Sequence, residues 1–331
     1  MKLIIRRQVL AAAAATLTLC IAGHAGAQDS YPTRAVKLVV PYAAGGTTDI
    51  AARLVSARMS RILGQPIIVE NKAGGAAIPG TEYVASSPPD GYTVLLGTSH
   101  NLAGNVAVFP KLPYDPLKNF APVGMIFLAP SVLMVNPNVP AKSVSELIAL
   151  AKKRPGDYSF ASGGIGSSSH FAGELMNHMA GTKMTHVPYR GDSASTTDAI
   201  GGHVPVVFCN IPSGMKFNQT GQLRTLGVTS AVRVPAYKDV PTIAEGGLKG
   251  FDLTAWFVLM TPAGTPEPIV RKLNDALNET LKDSAIQKQV AALGGFVSPM
   301  KPAELGSFIR SEIPKWSSIA LEANIHAESA K

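Results

Sequence analysis

The sequence predicts an α/β protein of two lobes, each a mostly parallel sheet flanked by helices with a cleft between them. Three observations predict it. Short β-branched runs alternate with segments of helical period along the chain, the pattern of parallel strands joined by right-handed crossovers. A glycine-rich turn between a strand and a helix occurs twice, once at 41–49 and once at 161–169. Between these turns lies one long apolar stretch, FAPVGMIFLAPSVLMVN at 120–136, which reads as a double strand broken at Pro130 and as the crossing between lobes.

The chain of 331 residues opens with an export signal. Lys2, Arg6 and Arg7 precede an apolar run at 9–22, and Ala25-Gly26-Ala27 supplies the small residues of a cleavage site. That run is too short to span a bilayer, so residues 1–27 are read as a signal peptide and the protein as periplasmic. Arg6-Arg7 also fits a twin-arginine signal. Cys20 ends a lipoprotein-like box, but Leu19 is bulkier than lipidation requires. Cleavage leaves Cys209 as the single cysteine, so no internal disulfide forms and stability rests on a core, which 46% apolar composition can supply.

Without the signal, 27 basic residues face 22 acidic ones, and the net charge falls from +8 to +5. The bases are scattered, with Lys152-Lys153-Arg154 the densest group. Nucleic-acid binding needs a basic stripe with interleaved aromatics, and the sequence has none. A mild positive balance suits a small anionic ligand. No further segment is long enough to cross a membrane.

The elements follow in order. Residues 36–40 are a β-branched strand closed by Pro41, followed by Gly45-Gly46, by Thr47, Thr48 and Asp49 as capping residues, and by a helix with Ile50, Leu54 and Ile62 at helical spacing. A strand at 67–70, a helix at 78–86 and a strand at 92–96 come next. Gly97 to Asn101 form a polar loop at the carboxyl end of that strand, with Ser99 in it. Beyond the apolar crossing the alternation resumes: helix 144–153, strand 158–161, helix 169–180, strand 184–187, helix 193–200, strand 204–209. Residues 223–228 are the expected return crossing, and a strand at 253–260 with helices at 266–281, 285–293 and from Pro302 completes the chain. The lobes are then 28–125 with 229–331, and 126–228.

A glycine turn leading into a helix aims the free N–H groups of the first helical turn, and the positive end of the helix dipole, at one point above the sheet. Two such turns, one per lobe, would bring two helix N-termini onto one anion when the lobes close. The second turn contributes Gly163, Gly166, Ser167, Ser168 and His170. Val187-Pro188-Tyr189-Arg190-Gly191-Asp192 ends another strand ahead of another helix, where Tyr189 offers a hydroxyl and Arg190 a bidentate fork. Asp192 stands where an N-cap carboxylate is expected. His170, Glu174 and His178 share a helix face but span more than two turns, so no metal is expected.

An enzyme of this composition would need a nucleophile with its base. Gly-x-Ser-x-Gly does not occur. The enzymatic alternative is an exported nucleotide-binding α/β protein, with Glu70 at the end of strand two as the ribose-binding acid. The Gly-x-Gly-x-x-Gly spacing it requires is missing.

At these residues the chain resembles the substrate-binding proteins of tripartite tricarboxylate transporters, the Bug family. The likeness runs through the mature chain: VPYAAGGTTDIAAR at 40–53, GQPIIVEN at 64–71, PDGYTVLLGTS at 89–99, KLPYDPLKNFAPV at 111–123, VPYRG at 187–191, VPTIAEGGLKGF at 240–251 and TPAGTP at 261–266. The resemblance implies a type II-like periplasmic binding protein, not an enzyme, monomeric and free of cofactors, that closes on a small organic carboxylate and delivers it to a two-component membrane permease. It implies that the loops at 41–49, 163–169 and 189–191 hold one ligand carboxylate, largely through amides, hydroxyls and ordered water. The candidate contacts are then Tyr42, Ala44, Gly45, Gly46, Thr47, Thr48 and Asp49 from one lobe and Gly163, Gly166, Ser167, Ser168, Tyr189, Arg190 and Gly191 from the other, to which the reading of the residues adds Ser99, His170 and Asp192. The chain departs from the family at Asp192, where a small neutral residue is more usual. An acid facing the cleft would repel a plain dicarboxylate or favour a ligand carrying an amine.

Overall fold

The computed structural model describes residues 31–189 and 191–325, so the signal peptide expected at 1–27 and Arg190 lie outside the described residues. The strands are β1 (Val36–Val40), β2 (Ile67–Asn71), β3 (Thr93–Thr98), β4 (Phe120–Val135), β5 (Ser159–Ser162), β6 (Thr185–Pro188), β7 (Val206–Asn210), β8 (Arg224–Val228) and β9 (Thr254–Pro262). One sheet has the order β2-β1-β3-β9-β4, and a second is built on the far half of β4, which β7 and β8 flank, with β5 and β6 beyond β7. In the first sheet only β9 runs against the others; in the second only β4 does. Each reversed strand is the one that enters from the other sheet, and the rest are joined by helices, which is why both sheets are otherwise parallel.

The helices that cover these sheets include α1 (Thr47–Leu63), α2 (Ile78–Ala85), α3 (Asn105–Val108), α4 (Val144–Lys153), α5 (Ser168–Ala180), α6 (Asp192–Ile200), α7 (Ile211–Gln219), α8 (Glu267–Leu281), α9 (Ser284–Ala292) and α10 (Pro302–Glu322). One core cluster covers a face of both sheets, joining Leu95 and Met125 to Phe160, Phe208 and Trp316. A second fills the other face of the first sheet around Phe127, Phe257 and Leu277, and a third lies under α7 around Cys209 and Met215. Helix α10 ties the two halves together. Its Trp316 packs on Phe171 of α5 at 4.8 Å between ring centres, and its buried Glu312 accepts the indole N–H groups of Trp256 (3.1 Å) and Trp316 (3.0 Å). A buried carboxylate is tolerated because these donors and Lys315 occupy its oxygens.

Four expectations change. The stretch at 120–136 is one continuous strand, not two: Pro130 lies inside β4 opposite Thr254, where its missing N–H falls at the change of partners from β9 to β7 and β8. The return crossing lies at Leu253 and Thr254, not near 228. The segment between pairs with β8 through Val228 N–H to Pro241 O and Ile243 N–H to Val228 O, both 2.9 Å, and Gly246 packs so closely on Val144 that an added Cβ would come within 2.7 Å. Residues 229–253 therefore sit on the second sheet. Helix α7 has no counterpart in the sequence reading, although Asn210 followed by Ile211-Pro212 is a helix start with proline in the first turn. The polar loop expected at 97–101 is also different: β3 continues to Thr98, and His100–Gly104 form a π-helical turn.

Candidate functional site

Strand β1 delivers the chain into the loop of Pro41 to Gly46, in which Ala43, Ala44, Gly45 and Gly46 are exposed. Gly45 adopts φ +84°, which a side chain would strain, whereas Gly46 is extended at φ −79° and serves as the N-cap of α1. That cap has no side chain. Helices α4 and α9 begin with Ser143 and Asp283, whose oxygens bond their own first-turn amides; α1 does not. Among the described residues, the N–H groups of Gly46, Thr47 and Thr48 meet no acceptor, so they remain directed out of the helix.

Asp49 is buried and turned inward. Its Oδ2 accepts Gly45 N–H (2.9 Å) and Arg53 Nε (3.0 Å), and its Oδ1 accepts Asn71 Nδ2 (3.0 Å). The Arg53 guanidinium and then the Gly45 amide hold this carboxyl down at about 2. Asn71 also donates to Tyr42 O (3.1 Å). Asp49, Arg53 and Asn71 thus fix the turn from below, and the acid's charge is neutralised before a ligand could meet it. Tyr42 shares its hydroxyl with Thr98 Oγ1 at 2.7 Å, and burial raises the phenol's pKa. Ser99 is buried at the head of the π turn.

The second loop is supported by histidines. Gly164 and Gly166 both take positive φ, at +128° and +77°. Ser167 caps α5 by accepting His170 N–H (3.2 Å) and donating to Gly164 O (2.7 Å), while Ser169 Oγ accepts Gly163 N–H (3.0 Å). His170 Nδ1 accepts Gly166 N–H at 3.2 Å, which requires the neutral ring with its proton on Nε2. Its ring stacks on His186 at 3.7 Å and 13°, and His186 Nε2 pairs with Ser162 Oγ at 2.7 Å. Burial, then the neighbouring imidazole, pushes His170 down to about 3; burial pushes His186 down to about 4. His170 therefore braces the loop from beneath and does not face the cleft with a free nitrogen. His178 turns away to Glu322 (3.2 Å).

The two loops meet through a residue that the sequence did not single out. His100, after β3, donates from Nδ1 to Gly166 O at 3.2 Å. Its ring lies 6.4 Å from that of Tyr42. Tyr42 of the first loop, His100 and Gly166 of the second loop thus form one line from sheet to sheet.

Near the second loop, Gly191 N–H donates to Gly163 O (3.2 Å), which seats the start of α6 beside it. Gly191 is the N-cap there, at φ +104° and without a side-chain bond. Asp192 is the first helical residue and not the cap: its Oδ2 accepts Asn210 N–H at 2.8 Å, so it braces α6 to β7. The N-cap expectation is corrected because glycine alone fits the positive φ at the preceding position. Tyr189 donates its hydroxyl to Asp198 Oδ2 (2.7 Å), and burial, then that acid, lifts it to about 12. A groove of about 560 Å³ between Leu117, Phe120, Met260, Val270, Ile309 and Arg310 opens at the start of β4 and holds none of the expected residues.

Two mostly parallel α/β sheets that exchange strands β4 and β9, each flanked by helices, are the architecture of a periplasmic solute-binding protein. The chain belongs to the family described as "Tripartite tricarboxylate transporter family receptor", whose profile matches residues 51–325. Protein BugT of Bordetella pertussis is 36% identical over 295 residues, covering 89% of this chain and 90% of BugT. A solved R. palustris protein with adipate is 35% identical at a TM-score of 0.76, covering 89% of this chain and 99% of its own. MatC from Rhodopseudomonas palustris with bound malate is 34% identical at a TM-score of 0.71, covering 87% of this chain and 99% of MatC. Family members and structural neighbours of this kind are solute-binding receptors.

Proposed function

We propose that this protein is a non-catalytic periplasmic receptor that captures a small organic carboxylate between its two sheets and delivers it to a two-component membrane permease. One observation carries the reading. Helix α1 starts on a bare glycine cap with its first-turn amides unpaired, a glycine and serine loop starts α5, and His100, whose ring lies near that of Tyr42 in the first loop, bonds Gly166 of the second. A carboxylate placed there would accept N–H groups from both sides and lie at the positive ends of two dipoles. The adipate and malate held by the similar proteins support this ligand class.

The exposed or half-buried backbone and hydroxyl members of the expected set would contact the ligand: Ala44, Gly45, Gly46, Thr47, Thr48, Gly163, Ser167, Ser168 and Gly191; the half-buried Tyr42, Tyr189 and Asp192 are held by Thr98, Asp198 and Asn210. Asp49, His170 and Tyr189 would act through the loops they hold. The two crossings, at Pro130 and Ser131 and at Leu253 and Thr254, would serve as the hinge of a monomeric trap. The signal peptide read at 1–27 and the periplasmic character of the similar proteins support a periplasmic location.

A thermal-shift screen tests the reading, because a ligand that binds only the folded state raises the unfolding midpoint. Small carboxylates are expected to raise it and nucleotides to leave it unmoved. Stabilisation by nucleotides alone, or turnover of a stabilising carboxylate, would contradict the receptor.

A further inference from the structure

Helix α1 carries on its outer flank a groove that ligand capture does not use. The groove holds about 490 Å³ between α1 and the start of α9. Leu54, Ala57 and the buried Ile286 give it an apolar lining, and Arg53, Arg58 and Arg61 stand along it. Arg53 and Arg61 lie about 12 Å apart along the helix axis. Arg53 is occupied by Asp49 and Asn71. The other two are not. The Arg61 guanidinium has no hydrogen bond or ion pair among the described residues. The Nε of Arg58 is buried without an acceptor, 3.8 Å from Asp283 Oδ2, too far for a hydrogen bond. The acids nearby are already engaged: Asp283 caps α9 through Ala285 N–H (2.8 Å), and Glu279 holds Lys282 (2.8 Å).

A trough with an apolar lining and guanidinium groups short of acceptors fits an acidic amphipathic segment. Its apolar side chains enter the trough while its carboxylates take paired bonds from the arginines. A second copy of this chain fits poorly, because a two-fold contact would set arginines against arginines. A lipid surface fits poorly as well. Membrane binding needs apolar side chains that project, whereas here Ile286 is buried and Leu54 half-buried. We propose that the groove between α1 and α9 is the docking surface for an acidic amphipathic segment on the periplasmic face of the permease. The proposal rests on the receptor reading above. The groove reaches Ile50, in the first turn of α1, so its occupant sits beside the cap that would hold the carboxylate.

Two measurements on receptor variants test it. The thermal shift of the mature protein, with the carboxylate that stabilises it most in a panel including malate and adipate, reads ligand binding. Uptake of that carboxylate, labelled, by cells whose own receptor gene is deleted reads docking. Arg61→Glu and Ala57→Glu should each lower uptake about tenfold or more while the thermal shift stays as in the wild type. Arg61→Lys, which keeps the charge, should lose less. Lys249→Glu, the same charge change at an exposed position on the second sheet, should leave uptake near that of the wild type. Wild-type uptake in both groove variants overturns the proposal while the receptor stands. A lost thermal shift in those variants overturns it too, by assigning the residues to the ligand site, and an equal loss of uptake in Lys249→Glu would trace the effect to net charge. Retention of the wild type, but not of Arg61→Glu, on vesicles of anionic phospholipid would replace the protein partner with a lipid surface. A wild type that shows the shift but supports no uptake contradicts delivery as well, and one that no carboxylate of the panel stabilises contradicts the receptor reading itself.

Discussion

Gly45 and Gly46 are adjacent and do different work. At φ +84° Gly45 has open space around it, so a side chain there meets no atom and is resisted by the backbone alone. Gly45→Ala should cost about 1–2 kcal/mol of stability, read as a lower thermal midpoint. Gly46 is extended, and an added Cβ would find only Ala43 O at 3.7 Å. Gly46→Val should therefore fold near normally and lose at least tenfold in carboxylate affinity, since its side chain would stand where a ligand approaches the α1 amides; unchanged affinity would place the site elsewhere. The stacked pair His170 and His186 makes a prediction in pH. Both are held neutral, at about 3 and about 4, below the ordinary value of 6.5. An unfolded chain takes up protons there that the folded protein refuses, so stability is fully present above about pH 6.5 and drains as pH falls toward about 4. The loss approaches about 1.4 kcal/mol per pH unit for each ring. Denaturant unfolding between pH 7 and 5 should show it, and His186→Phe should flatten the slope; the same slope in the variant would rule the pair out as its source.

At the scale of elements, the alternation of strands and helices was legible because each parallel unit carries its own signal: a β-branched run, a glycine or proline break, then helical spacing. Helix α4 falls at 144–153 as read, and most other boundaries shift by a residue or two. What failed was non-local. The return crossing misplaced at 228 depends on residues 229–253 finding β8 and Val144, contacts that no local pattern encodes. The glycine loops were legible as candidates; their supports were not. Asn71 reaches Asp49 across 22 positions and His100 reaches Gly166 across 66, so neither role exists until the chain is folded. The His100 contact is testable in itself. His100→Ala should leave each sheet intact, weaken ligand binding several-fold and speed dissociation, because it removes one of the bonds that hold the sheets together over the ligand. Stopped-flow displacement reads this directly, and an unchanged dissociation rate would show that closure does not use the contact.

For the whole molecule, the exchange of β4 and β9 between sheets leaves two paired strands as the covalent bridge, with α10 packed across one face. Such a bridge can bend while each sheet stays rigid, so ligand should reduce the radius of gyration in solution scattering. The central claim, that one carboxylate is held between the α1 cap and the 163–169 loop, is tested most directly by a crystal structure of the protein with a carboxylate that copurifies with it. The account predicts carboxylate oxygens about 2.7–3.2 Å from amide or hydroxyl donors of both loops, directly or through one water. A carboxylate bound in the groove beside Phe120 and Arg310, or touching one loop alone with the sheets apart, would contradict it.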